Sequence, residues 1–217
     1  MSQADNALRE SICRVARSLF ERGLTSGSSG NISARTADGG LLVTPTGSSF
    51  GSLDPAALSR FDAEGRHVGG DPPTKEMNLH QAFYETRGDR AGAVVHLHSS
   101  HAVAWSMRPD AEADNLLPPL TAYSIMRLGR VQLLPYFRPG DPAMGKAIRS
   151  LAGRRSAVVL ANHGPVVAGM DLEAAAYAIE ELEETAKLAL LTAGHHPVGL
   201  TTEQIRDLVT TFGIEWD

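Results

Sequence analysis

One cysteine, Cys13, stands in the whole 217-residue chain. No disulfide can close within a single molecule, which is how proteins of a reducing compartment read. Cys13 falls in an N-terminal helical pattern, where it is expected to pack as a small hydrophobe. Positive charge is also in short supply: 20 Lys and Arg against 25 Asp and Glu give a formal net charge of −5. Binders of nucleic acid or of acidic membrane show the opposite excess, so both partner classes are set aside. A local basic site for a small anion remains compatible with that balance. No apolar run approaches the roughly 18 to 20 residues that a membrane span needs. The opening MSQADNALRESIC lacks the basic and apolar regions of a signal peptide. The expectation is a soluble cytoplasmic protein. Internal repeats, low-complexity tracts and linkers are absent as well, so one domain is expected over residues 1–217.

The chain has enough apolar material for a sizeable core, with 42% hydrophobic residues. Leu8, Ile12, Val15 and Leu19 recur at steps of four, three and four, the stripe of an amphipathic helix, and Gly23 is placed to stop it. DPAAL, residues 54–58, has Asp54 as a helix cap and Pro55 at the first helical position. KEMNLHQAFYETR, residues 75–87, reads as a helix, AVVHLHS as a strand, and HAVAWSM as a short helix. AVVLANHGPVVAG, residues 157–169, supplies strand material, and the long segment after Asp171 keeps helical period. Strands and helices are interspersed, which predicts an α/β fold with a mixed sheet covered by helices.

Within AVVHLHSSHAVAW two imidazoles interrupt an apolar strand. Side chains two apart on a strand share a face, so His96 and His98 point the same way with α-carbons roughly 6.5 Å apart. At that separation both can reach one metal ion, but alone HxH is a weak signal and reads first as two histidines on a half-exposed strand face. NHG, residues 162–164, sets His163 at the end of a second apolar run, where sheet proteins often build sites. PTKE, residues 73–76, places Glu76 in the first turn of a helix, where a carboxylate also complements the helix dipole without further function. Three histidines and one carboxylate complete a tetrahedral set for a divalent ion such as zinc. SGNIS and TPTGSS are rich in backbone amides and hydroxyls, as suits a phosphate cradle. Neither contains GxxxxGK[ST], which argues against a nucleoside triphosphate.

SGNIS, TPTGSS, PTKE, HLHSSH and NHG, in that order, resemble the class II aldolase/adducin family, typified by fuculose-phosphate aldolase. The likeness runs from about residue 8 to residue 195. The wording PPTKEMNLHQAFYETR, AVVHLHSSHAVAWS and PPLTAYSIMRLGRVQLLPYFRPGD is most similar to the branch that decarboxylates 3-oxo-tetronate 4-phosphates in acid-sugar catabolism. The resemblance implies a three-layer α/β/α fold around a largely antiparallel mixed sheet, and a homotetramer with zinc at subunit boundaries. Mn²⁺ or Co²⁺ are alternative ions. By motif, His96, His98, His163 and Glu76 are expected as metal ligands, with Glu76 also the proton acceptor and donor. Asn31, Thr46, Gly47, Thr74 and Lys75 are expected around a substrate phosphate. The family's aldolases usually carry two serines where this chain has Thr74 and Lys75, which argues against simple aldolase activity and adds a fixed positive charge. Tyr123 and Arg127, with Tyr136 and Arg138, are candidates to reach the substrate across a subunit interface.

The implied reaction is loss of CO2 from a phosphorylated four-carbon 3-oxo acid, giving dihydroxyacetone phosphate. An aldolase or epimerase acting on a sugar phosphate is the nearest alternative, and a non-catalytic adducin-like interaction module is an alternative of another class. His101 reads as a helix-start histidine, and His80 and His195–His196 as structural or exposed.

Overall fold

A computed structural model describes residues 3–216. Met1, Ser2 and Asp217, the ends of the domain expected over 1–217, lie outside the described residues. Helix α1 (Gln3–Glu21) buries Ile12, Ala16 and Leu19 at steps of four and three, and Gly23 follows with φ +75°. Strands β1 (Asn31–Arg35), β2 (Leu41–Val43), β3 (Ser59–Phe61) and β4 (His67–Gly69) form an antiparallel meander. Asp54 caps a single 3-10 turn over Pro55–Ala57 rather than an α-helix. Then come α2 (Met77–Arg87), β5 (Ala93–His96), α3 (Ser100–Ser106), α4 (Ala122–Leu128), β6 (Val131–Leu134), α5 (Pro142–Ser150) and β7 (Ala157–Leu160). β8 (Gly164–Gly169), the long α6 (Leu172–Thr192) and α7 (Thr202–Phe212) complete the described chain.

All eight strands join one sheet in the order β4-β3-β2-β1-β5-β8-β7-β6. Every pairing is antiparallel except β6 with β7, so the sheet is the largely antiparallel mixed one expected. Because strand side chains alternate between faces, β1 sends Ile32 and Ala34 to one side and Asn31 and Ser33 to the other. The first side packs on Ile12 and Leu19 of α1 and Ile179 and Leu182 of α6. Asp171 starts α6 by accepting a hydrogen bond from the Ala174 amide. The second side gathers Val94, Val158 and Val166 under Leu79 and Phe83 of α2 and Met144 and Ile148 of α5. Helices therefore cover both faces, in three layers. Among the described residues no helix is long and apolar enough to cross a membrane.

Two local expectations shift. β5 ends at His96, so His98 lies beyond the strand. Leu97 still donates its amide to the Pro165 carbonyl at 3.1 Å in register with β5 and β8, but Pro165 has no N–H to return the bond, and the chain then turns into α3. Glu76 is the residue preceding α2 rather than part of its first turn, and its carbonyl accepts the Leu79 amide at 2.9 Å.

Candidate metal centre

His96, His98, His163 and Glu76 come from three places in the fold, and each offers a ligand atom within 4.8 Å of the others. His96 closes β5 and His163 sits in the turn between β7 and β8. That turn is tight: Leu160 pairs directly with Gly164, and Asn162 takes the left-handed conformation at φ 58°, which asparagine tolerates well. A side chain on Gly164 would collide with the Leu97 carbonyl, so only glycine lets this turn close over β5. Gly30, at φ +86°, similarly brings the chain entering β1 against the His96 carbonyl.

The three imidazoles stand edge to face, with centroids 4.8 to 5.0 Å apart. His96 is fully buried, and its Nδ1–H donates to the Pro165 carbonyl at 2.8 Å. That bond fixes the tautomer and leaves Nε2 as a bare lone pair. This lone pair faces His98 Nε2 at 3.2 Å and Glu76 Oε2 at 3.4 Å. His163 Nε2 lies 3.3 Å from Glu76 Oε1. Among the described residues, Glu76 Oε1 and both His163 ring nitrogens are buried without a hydrogen-bond partner. Electron pairs converging this closely repel one another, and buried polar atoms left unpaired cost free energy. A cation among them relieves the repulsion and gives Glu76 Oε1 and His163 Nε2 a partner, so the donor set fits a divalent metal ion.

Electrostatics agree with that reading. Burial pushes the His96 ring down to about 3, further than the Glu76 charge pulls it up. Burial also lowers His98 and His163. All three rings are therefore neutral near pH 7, the form that ligates metal. Burial alone would raise the Glu76 carboxyl, but positive charge at the rings and the Asn31 amide bond outweigh it and the net direction is downward.

Helix α3 braces the loop carrying His98. The Glu183 carboxylate, from α6, accepts the backbone amides of His101 and Ala102 at 2.9 Å each, and the His101 ring at 2.7 Å. At the other end, Ser106 Oγ accepts the Asn162 amide at 3.1 Å, tying α3 to the turn that bears His163. His101 is thus at a helix start, as its position suggested.

Two loops flank the centre. The Thr46 amide donates to Pro72 O and the Thr74 amide to Thr44 O, so TPTG and PPTK run side by side. That antiparallel register sets Thr46 across from Pro72 and Thr74 across from Thr44, with Gly47 at φ +70° and Lys75 exposed. Asn31 lies deeper than these four: its amide donates to Glu76 Oε2 at 2.8 Å and its carbonyl faces His80. His80 is fully buried, not exposed. Tyr123 is 60% exposed on α4. Arg127 lies over the Tyr177 ring and lines a separate cavity of about 460 Å³ with His101, Glu180 and Glu183. Tyr136 and Arg138 are exposed on the segment before α5.

The family model for the class II aldolase and adducin N-terminal domain matches residues 10–190. The chain is 45% identical over 208 residues to the 3-oxo-tetronate 4-phosphate decarboxylase of Escherichia coli strain K12, covering 95% of this chain and 97% of that protein. It is 48% identical over 184 residues to the 3-oxo-tetronate 4-phosphate decarboxylase of Cupriavidus necator, covering 85% and 84%. The crystal structure of YgbL from Escherichia coli superposes with a TM-score of 0.92 at 44% identity, covering 95% of this chain and 99% of that one.

Proposed function

The chain belongs to the class II aldolase and adducin family, and from that premise we propose that it decarboxylates a 3-oxo-tetronate 4-phosphate to dihydroxyacetone phosphate and CO2. The observation that carries this reading is the convergence of His96, His98, His163 and Glu76 on one point. These four residues hold a divalent ion, and zinc suits three neutral imidazoles and a carboxylate best. A divalent ion held there supplies a Lewis acid for the substrate ketone.

The substrate carboxylate is β to that ketone. Breaking the bond to CO2 leaves an electron pair, delocalised toward the ketone oxygen, and the carbon that lost CO2 must gain a proton. Glu76, ionised at rest, takes that proton from solvent and delivers it, and the Asn31 amide steadies the carboxylate that results. The Thr46 and Thr74 hydroxyls, the Gly47 and Lys75 amides and the Lys75 charge hold the phosphate. Lys75 in place of a neutral residue suits a substrate carrying a carboxylate as well as a phosphate. Tyr123 and Arg127 act on the substrate bound to a neighbouring subunit of a homotetramer. The whole of 1–217 serves as one cytoplasmic domain in this reading.

Turnover of three substrates tests the proposal. CO2 release from 3-oxo-tetronate 4-phosphate is expected, with fuculose 1-phosphate and ribulose 5-phosphate turned over poorly or not at all. Efficient cleavage or epimerisation of a sugar phosphate, without CO2 from the keto acid, overturns it in favour of an aldolase or epimerase. No turnover and no bound metal would point to the interaction module.

A further inference from the structure

Glu76, just before α2, and His80 and Tyr84 within it are four residues apart along one stripe, while Asn31 and Ser33 share one face of β1. Four residues of helix rise about 6 Å and two of strand about 6.6 Å, so the two rows stay in step and interleave. Asn31 Nδ2 lies 2.8 Å from Glu76 Oε2, and His80 Nε2 lies 2.5 Å from Asn31 Oδ1. Ser33 Oγ is 2.7 Å from His80 Nδ1 and 2.8 Å from the Tyr84 hydroxyl. All five side chains are buried.

The direction of every bond in this row is determined. Glu76 as a carboxylate only accepts, so Asn31 must present its NH2 there and its carbonyl to His80. The carbonyl only accepts, so His80 carries its proton on Nε2. Burial depresses this ring to about 4, so it is neutral near pH 7 and Nδ1 is an acceptor. Ser33 therefore donates to Nδ1, and Tyr84 donates to Ser33. Nothing in the proposed reaction uses His80, Ser33 or Tyr84. An amide does not readily pass a proton through, so the row aligns groups rather than relaying protons.

We propose that His80, set in its Nε2–H tautomer by Ser33 and Tyr84, is a positioning residue that fixes the Asn31 amide against the Glu76 carboxylate. With the amide turned over, its carbonyl would face the carboxylate and repel it. This rests on the reading of Glu76 as the proton donor.

His80→Leu removes the donor while keeping an apolar side chain of similar reach, and His80→Gln restores a donor and an acceptor. Outer partners of this kind typically shift activity by about 10- to 100-fold. In His80→Leu, kcat for CO2 release is expected to fall by that factor, with KM and metal content close to wild type. Its crystal structure should show the Asn31 amide turned away from Glu76, and His80→Gln should recover most of the loss. A folded His80→Leu with wild-type kcat, or with the Asn31–Glu76 bond intact, overturns the proposal. If His80→Leu does not fold, Ser33→Ala decides: a lowered kcat at constant KM supports the claim, and an unchanged kcat overturns it. Should the wild type release no CO2 from the keto acid, the proposed reaction fails. The Asn31–Glu76 bond in the variants' crystal structures still decides the positioning claim.

Discussion

The two faces of the central sheet solve different problems. Toward α1 and α6, β1 and β5 present Ile32, Ala34, Ala93 and Val95 to an apolar cluster. Toward α2, the same strands present Asn31, Ser33 and His96, polar groups buried as deeply as the apolar ones. Burying a polar group is unfavourable unless it is satisfied, and here each rung from Tyr84 to Glu76 has a partner until the row reaches the metal centre. The apolar face thus supplies stability without chemistry. The polar face gives up some stability to hold one carboxylate in place.

Substitutions on each face should separate these roles. Glu76→Gln keeps the shape and removes the proton donor. CO2 release from the keto acid should fall about 10²- to 10⁴-fold while the melting temperature changes little. On the other face, Ile12→Ala should cost about 2 to 5 kcal/mol in denaturant unfolding and leave kcat unchanged. A kcat loss in that variant would show that the faces are not independent.

A pH titration sharpens the contrast. His80 has its pKa lowered from 6.5 to about 4 in the fold. As pH falls through 6.5, the unfolded chain takes up a proton that the folded ring refuses, so stability drops until about pH 4. The loss from His80 amounts to about 3 kcal/mol. It should appear as the difference between wild type and His80→Gln in unfolding curves from pH 7 to 4. The smallest effect is expected at the surface, where Arg149 pairs with Glu85 at 2.5 Å on exposed parts of α5 and α2. Glu85→Ala should change stability by no more than about 1 kcal/mol and activity not at all.

Much of this molecule is readable from residues alone. HLH, NHG and PTKE each carry a recognisable ligand type, and the α1 and α6 stripes follow helical period. What escaped was non-local or short. β3 and β4 are three residues each, too brief for a period of two to register. His98 looked like a strand residue because HxH fits a strand, and only the partner Pro165, which has no amide to return the Leu97 bond, shows where β5 stops. The polar row was half visible, since Glu76, His80 and Tyr84 recur every four residues. Its other half, Asn31 and Ser33, lies some 45 to 50 positions away, and no local pattern tells which strand α2 will cross.

The most direct test of the central claim is the divalent metal content of the purified protein, measured by elemental analysis beside His96→Ala. Close to one ion per chain in the wild type, lost in the variant, is the result expected. A wild type that decarboxylates the keto acid at full rate after complete removal of divalent metal would contradict the account.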